Sequence, residues 1–287
     1  MSALTTLDGG SQAHSVPSSL KDEESATAKL SRPTFWGYLN TEVDPAQSTG
    51  PLAAFCFMTG YIDAISFTAV FVWCGFQTGN FAQLALAIAR LWEIAPSGSG
   101  HDTSFHIADR QALTSLLSFN AGAFFGRIGD RVGPHKRIWL VVATFVQVLL
   151  TMAAALTVWQ SGQGSIAAIR GNPSWTNTLT FAGLAFMSAS LGVQGIVGKR
   201  LNTQFTTTIV LTTVWVELVN DPRLFARQRV KTRDHKLIAA SALFFGALVA
   251  RALLAKIGAA GALGIGAGVR VLITFAWLVV PGKHVSP

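Results

Sequence analysis

The chain has 287 residues, of which half are hydrophobic and only 13% are charged. Ordinary soluble domains carry about 25% charged residues, so the composition excludes an ordinary soluble protein and indicates residence in a bilayer. The formal net charge of +8 comes from basic residues clustered in short segments between apolar blocks. That distribution favours topology control and contact with anionic lipid over binding of nucleic acid.

The first 50 residues are expected to lie outside the membrane domain. Residues 1–30 are polar, rich in Ser, Thr and Ala, and lack the apolar core of a signal peptide, so we expect a disordered tail. Residues 33–49 place aromatic residues beside acidic ones, a composition that favours a short interfacial helix.

Apolar blocks fill most of the remaining chain. Each is close to the length of about 20 residues with which a helix crosses the hydrocarbon layer. They lie near 51–73, 77–95, 111–127, 137–159, 178–198, 204–219, 236–256 and 261–281. Their length assigns them to helices, and they lack the alternation of membrane barrel strands. The sequence therefore predicts an all-α polytopic membrane helical bundle, a single domain at 51–281, followed by a short tail at 282–287.

An internal repeat is indicated by the motif Phe-Phe-Gly followed five positions later by Arg. It occurs in "AFFGRIGDR", which ends at Arg131, and in "LFFGALVAR", which ends at Arg251. In each half the motif follows a Gly-containing helix and a short Thr- or Asn-bearing segment, and precedes a plain apolar helix. This shared order favours duplication over chance, with halves at about 51–159 and 178–281.

Two strongly basic segments constrain the topology, the first at 127–137 and the second at 220–236. Basic segments prefer the cytoplasmic side, yet eight spanning helices would put these two on opposite sides. If blocks 77–95 and 204–219 are short or re-entrant, six helices span, and both basic segments and both termini face the cytoplasm. Eight simple spans remain the alternative.

Asp63 is the sharpest polar signal within the apolar blocks. A carboxylate at the centre of a membrane helix is disfavoured by about 3 kcal/mol. Gly60 and Asp63 share one face of their helix by spacing, with Tyr61 between them. One interpretation is a cavity-facing carboxylate that binds a cation, a proton or a substrate amine. The other is a carboxylate that hydrogen-bonds a neighbouring helix, and both stay open.

The triplet Thr78-Gly79-Asn80 predicts a break before a short helix. Thr78 or Asn80 is suited to cap that helix, and Gly79 permits unusual backbone geometry. The triplet is either the start of a half-helix that points into a cavity or a plain interhelical turn. In the second half, Gln194, Thr207 and Thr208 occupy the corresponding places.

Catalytic and metal-binding constellations are missing from the sequence, so we predict no enzymatic activity, no cofactor and no metal site. His101 and His106 lie near two aspartates in one loop, where a solvated loop is favoured over a metal site. Cys56 and Cys74 lie in apolar surroundings and are expected to be buried free thiols.

Several motifs together resemble the YoaK-like membrane proteins of bacteria and fungi, grouped as domain of unknown function number 1275. The motifs are "TGYIDAISF", "QTGNFAQL", "FNAGAFFG", and "LGVQ" followed by "TTTIVLT". The resemblance covers about residues 51–281 and implies the fold and membrane residence, without a reaction. The segments "LNTQFTTTIVLTTVW" and "NDPRLF" resemble the fungal branch of this family.

The family pattern places polar residues in both halves. Its first-half elements match Gly60, Tyr61, Asp63, Ala64, Thr78, Gly79 and Asn80. In the second half Gln194 and Thr207-Thr208 match, whereas Gly195 replaces an Asn of the family pattern.

We therefore predict a permease for an unidentified small solute, with a polar site near the middle of the membrane. The expected substrate-binding residues are Gly60, Tyr61, Asp63, Thr78, Gly79, Asn80, Gln194, Thr207 and Thr208. The alternative is a non-transporting membrane scaffold that binds anionic lipid or a partner through its basic segments.

Overall fold

The computed structural model describes residues 34–93, 100–101, 103–169, 171–209 and 212–283. These residues form helices and isolated bridges but no strand, which confirms the predicted all-α fold. The chain divides into Met1–Tyr38 and Leu39–Pro287. Helix α1 (Phe35–Leu39) lies in the first unit up to Tyr38 and begins with the rings of Phe35 and Trp36, which are exposed and meet edge to face. The predicted disordered tail lies outside the described residues.

The second unit contains all the longer helices. They are α2 (Thr49–Val70), α3 (Gln77–Ala89), α4 (Ile107–Gly126), α5 (Gly129–Val132), α6 (Arg137–Ser161), α7 (Thr178–Leu201), α8 (Thr212–Val219) and α9 (Lys231–Val279). By length and composition α2, α6, α7 and α9 can each cross a membrane, which confirms a polytopic membrane protein. Helices α3 and α8 are short, with 13 and 8 residues, and much of the predicted 204–219 block is not helical.

Helix α9 reverses direction at Gly258, whose φ of 71° and ψ of 179° are not helical. Upstream, the backbone of Leu243 packs against Gly60 of α2. Downstream, the carbonyl of Ala262 accepts a 2.6 Å hydrogen bond from the Tyr61 hydroxyl, one residue further along α2. A straight helix would separate Leu243 from Ala262 by about 28 Å. The chain therefore forms a hairpin of two segments, α9a (231–257) and α9b (259–279).

Glycine allows α2 and α9a to cross in backbone contact. A Cβ atom added to Gly60 would overlap the carbonyl oxygen of Leu243, and one added to Gly246 would overlap that of Phe57. Each helix thus contributes one glycine to the crossing. Small residues give membrane helices the close packing that replaces the hydrophobic effect inside lipid.

The crossing of α4 with α7 has the same arrangement. A Cβ atom added to Gly122 would overlap the carbonyl oxygen of Ala189, and one added to Gly192 would overlap that of Phe119. Gly246 of α9a and Gly122 of α4 therefore occupy equivalent positions in the two crossings. Gly126 of the first Phe-Phe-Gly motif lies one turn beyond its crossing, against Ile196.

The two basic segments lie at the same end of the bundle, which we call the basic end. The backbone N–H of Val43 donates to the carbonyl of His135 in the first segment, over 2.9 Å. The hydroxyl of Thr49, a few residues on, is 3.4 Å from the ring of His235 in the second segment. The side chain of His135 also contacts the carbonyl of Arg200 at the end of α7, over 3.0 Å.

We predict that Gly246→Ala destabilises the protein, because the added methyl group must force α2 and α9a apart. Overpacking of this kind costs about 1–3 kcal/mol, and the melting temperature of the purified protein in detergent should fall accordingly. The matched control is Gly268→Ala in α9b, where an added Cβ meets nothing within 4 Å. Equal melting temperatures for the two variants would contradict the close crossing.

Candidate functional site

The chain folds back into the bundle after α2. This helix ends at Val70, where Phe71 takes the left-handed conformation with a φ of 57°. The returning chain brings Gly75 to Asp63, and its backbone N–H donates to Asp63 Oδ1 over 2.8 Å. Asp63 is two helical turns, or about 10 Å, inside the end of α2. We call residues 71–76 the first break.

Asn80 holds the first break in place. Its amide nitrogen donates to the carbonyl of Trp73 over 2.7 Å and to Gln77 Oε1 over 2.9 Å, and lies 3.2 Å from Ser115 Oγ of α4. Neither Thr78 nor Asn80 is the helix cap that the sequence suggested, because α3 already begins at Gln77. Both residues lie inside the helix, beyond the position of its cap. The Asn80 amide instead bonds to the carbonyl of Trp73, which has no helical partner.

Helix α3 runs from the interior of the bundle to the end opposite the basic end. It begins beside Ser115, well inside α4, and the residue after it, Arg90, forms an ion pair with Asp109 in the first turn of α4. The other end of α4 leads into the first basic segment. Helix α3 is thus a half-length helix that returns to the side from which the first break enters.

A second break follows α7 and enters from the basic end. Helix α7 ends at Leu201, Asn202 takes a φ of 49°, and the chain returns until Thr208 meets Gln194. We call residues 203–209 the second break. Helix α8 then returns to the basic end, where Glu217 pairs with Lys236 over 2.9 Å.

Gln194 holds the second break as Asn80 holds the first. Its amide nitrogen is 3.1 Å from Thr208 Oγ1 and 2.9 Å from both Thr59 Oγ1 and the carbonyl oxygen of Phe55. Thr206 and Thr208 have positive φ angles of 50° and 60°, which β-branched residues rarely adopt. The second break therefore keeps a strained backbone in place through buried hydrogen bonds.

The two breaks meet at Thr59 of α2. The Thr59 hydroxyl donates to the carbonyl of Thr208 over 3.1 Å. On its other side, a Cβ atom added to Gly75 would lie 3.3 Å from the Thr59 methyl group and 3.4 Å from Leu191 of α7. One buried threonine thus separates two non-helical segments that enter the bundle from opposite ends.

A cavity of about 330 Å³ lies between the breaks and the α4–α7 crossing. The first break and α3 contribute Gly75, Gln77 and Thr78, and the second break contributes Thr207 and Ile209. Helices α4 and α7 complete the wall with Phe119, Ala123, Gly192, Gly195, Ile196 and Lys199. The wall is mainly apolar, with hydroxyl and amide groups, one lysine ammonium and no carboxylate, and the cavity opens to the surface at the exposed Thr78 and Lys199.

Seven of the nine predicted site residues divide into three groups. Thr78 and Thr207 line the cavity. Asn80, Gln194 and Thr208 fix the breaks through the hydrogen bonds given above. Gly60 and Tyr61 pack α2 against α9, and a Cβ atom added to Gly79 would meet nothing within 4 Å.

Asp63 lies next to the cavity without lining it. A Cβ atom added to Gly75, which does line it, would be 2.9 Å from Asp63 Oδ2. This oxygen is buried and has no hydrogen-bond partner among the described residues, whereas Oδ1 accepts from Gly75. The carboxyl group thus secures the first break with one oxygen and leaves the other available.

Sequence reasoning missed nine of the eleven cavity residues, among them Gly75, Gly195 and Lys199. Gly75 precedes the polar triplet but carries no motif of its own. Gly195 departs from the family pattern, and the structure places it at the cavity wall. Lys199 resembles an ordinary basic residue at a helix end.

The chain matches the family described as protein of unknown function, DUF1275, over residues 52–276. It belongs to this family. The matched region contains both breaks and every residue of the cavity. No curated protein and no solved structure matches the chain.

We predict that Gln194→Leu loosens the second break, because three hydrogen-bonding contacts disappear and buried acceptors lose their donor. The loss should be about 1–3 kcal/mol, seen as a lower melting temperature and faster amide hydrogen exchange in residues 202–209. Gln204→Leu changes an exposed glutamine of the same segment and serves as the control. Unchanged exchange in the Gln194 variant would refute its anchoring role.

Proposed function

We propose that this membrane protein is a permease for a small solute rather than an enzyme. The supporting observation is that the two breaks enter from opposite ends and meet at Thr59 beside a cavity of about 330 Å³. Non-helical backbone at membrane depth is tolerated where it is buried in protein or lines a cavity. Broken helices around a central site are a recurrent plan among transporters.

The proposed topology has six crossings, formed by α2, α4, α6, α7, α9a and α9b. Helices α3 and α8 each return to the side from which their break enters. The two basic segments share one end of the bundle, which we assign to the cytoplasm by the positive-inside rule. Arg251 and Lys256 of α9a then approach the opposite side.

The proposed duplication relates the two halves by inversion. It is supported by the matching crossings of α2 with α9a and of α4 with α7, each built on a pair of glycines. It is also supported by the two breaks, each of which follows a long helix and is held by a buried amide side chain. Under this pairing Gly60 corresponds to Gly192, and Asp63 corresponds to Gly195.

The cavity dimensions favour a small solute, since ligand pockets range from about 300 to 1,000 Å³. Gly195 corresponds to Asp63 under the proposed duplication. Because Gly195 has no side chain, it leaves space in the cavity. In this proposal Thr78, Thr207 and Gln77 hydrogen-bond the solute. The free oxygen of Asp63, separated from the cavity by Gly75, binds a proton or a cation that accompanies transport.

The basic end supports a second candidate function, that of a scaffold bound to anionic lipid. A groove of about 480 Å³ there is lined by Phe124, Arg127, Ile128, Asp130 and Arg131. The Arg127 guanidinium lies 5.5 Å from the centre of the exposed Phe124 ring. Cationic groups beside exposed apolar side chains suit a phospholipid headgroup and its acyl chain.

Transport is tested in proteoliposomes with a panel of amino acids, monocarboxylates, polyols, sugars and nucleobases. We expect saturable uptake of at least one class, which Gly195→Leu abolishes because its side chain fills the cavity. Asp63→Asn should keep the hydrogen bond from Gly75 and the melting temperature but lose coupled uptake. Gly268→Leu, at a site open to the surroundings, is the control that retains uptake.

The panel also separates the two candidate functions. A scaffold would show no saturable uptake, either as the wild type or as any of these variants. Its association with anionic vesicles would weaken in Arg127→Gln. Normal uptake in Gly195→Leu would eliminate the cavity as the route.

Topology is tested by labelling single cysteines with a membrane-impermeant reagent in sealed cells or vesicles. We expect Arg131→Cys and Arg229→Cys to react from the cytoplasmic side, and Gly171→Cys to react from the opposite side. Cys56 and Cys74 are buried, so the native background should be low. Labelling of positions 131 and 229 from different sides would contradict six crossings.

A further inference from the structure

Arg270 is a fully buried arginine of α9b that plays no part in the cavity. Its side chain has 0% exposure. The guanidinium donates to Gln147 Oε1 of α6 through Nη1, and Nη2 lies 3.4 Å from Ser190 Oγ of α7. Arg270 thus stands where α6, α7 and α9b meet.

The positive charge of Arg270 has no acidic partner within 4 Å among the described residues. The ion pairs of that part of the chain involve Arg90, Arg200, Arg233 and Lys236. Arg233 shows how a buried guanidinium is usually accommodated, because it bonds to the Asp234 carboxylate and to several backbone carbonyls. An arginine keeps its proton in proteins, so the charge of Arg270 persists inside the bundle.

Two buried N–H groups beside this charge also lack acceptors. Arg270 Nε and Gln147 Nε2 have no hydrogen-bond partner in the described structure. The Gln147 amide cannot be reversed to supply an acceptor, since its oxygen already accepts from Arg270 and a reversal would place two donors face to face. Ser190 donates its own hydroxyl proton to the carbonyl of Met187 over 2.7 Å.

We propose that Arg270 and Gln147 bind a small monovalent inorganic anion, of the halide class, between α6 and α9b. Such an ion accepts from the two free N–H groups and neutralises the guanidinium. A water molecule supplies an acceptor but leaves an uncompensated charge, which is strongly unfavourable in an apolar interior. The complete burial of both side chains restricts the ligand to a single small ion.

This site is separate from the cavity, which neither Arg270 nor Gln147 lines. The ion would join α6 to α9b, which the Trp277 indole also links by donating a 3.0 Å hydrogen bond to Thr144. Its expected effect is therefore on the stability of the α6–α7–α9b packing, whatever solute the protein carries. The proposal does not depend on the proposed transport function.

The test is the melting temperature of the purified full-length protein in chloride and in gluconate, at constant ionic strength and pH. We expect a saturable increase with chloride in the wild type, because binding to the folded state alone stabilises it. Arg270→Met and Gln147→Leu should each lose the increase. Arg251→Gln removes an exposed arginine of α9a and should keep it.

Gln147→Leu is decisive if Arg270→Met does not fold, since it retains the charge and removes one donor to the ion. A wild-type melting temperature that is identical in chloride and gluconate would overturn the proposal and assign the site to water. The proposal would also be overturned if Gln147→Leu and Arg270→Met both kept a chloride-dependent increase as large as that of the wild type, because the ion would then bind elsewhere.

Discussion

The structure depends on satisfying backbone polar groups where the chain is not helical inside an apolar bundle. Each unpaired N–H or C=O there costs several kcal/mol, which is why membrane segments are normally unbroken helices. This chain is broken twice, and in both places a buried polar side chain pairs with backbone of the break. The Asn80 amide donates to the carbonyl of Trp73 in the first break, and the Thr59 hydroxyl donates to the carbonyl of Thr208 in the second. Gln194 adds a contact to the side chain of Thr208.

Glycine supplies the second requirement, which is close approach of the helices around the breaks. At both crossings the backbones touch, so no side chains separate the helices that carry the polar residues. The Gln194 amide nitrogen therefore lies within hydrogen-bonding distance of two acceptors on α2 and one on the second break. Broken backbone and tight crossings are complementary features, since an amide side chain spans only a short distance.

The sequence predicted the helices well because their positions depend on length and hydrophobicity. The gap between blocks 236–256 and 261–281 corresponds to the reversal at Gly258. The charge of the basic segments, the threonine-rich 204–219 and the triplet Thr78-Gly79-Asn80 together predict that blocks 77–95 and 204–219 are short, and the structure gives both a short helix after a break. What remained hidden depends on three-dimensional neighbours. Gly75 and Gly195 matter through what surrounds them, and Arg270 lacks a motif.

The two breaks differ in the conformational energy that they hold. The first holds one residue, Phe71, in the left-handed conformation and approaches Asp63 with a glycine, which tolerates the close contact. The second contains Thr206 and Thr208 in a left-handed conformation that costs of order 1–3 kcal/mol per residue. When the second break moves away from Thr59, its hydrogen bond to that residue is lost. Relaxation of the two threonines releases backbone strain and so offsets part of that loss in free energy. The second break therefore holds more backbone strain than the first, and release of that strain lowers the cost of moving it away from Thr59.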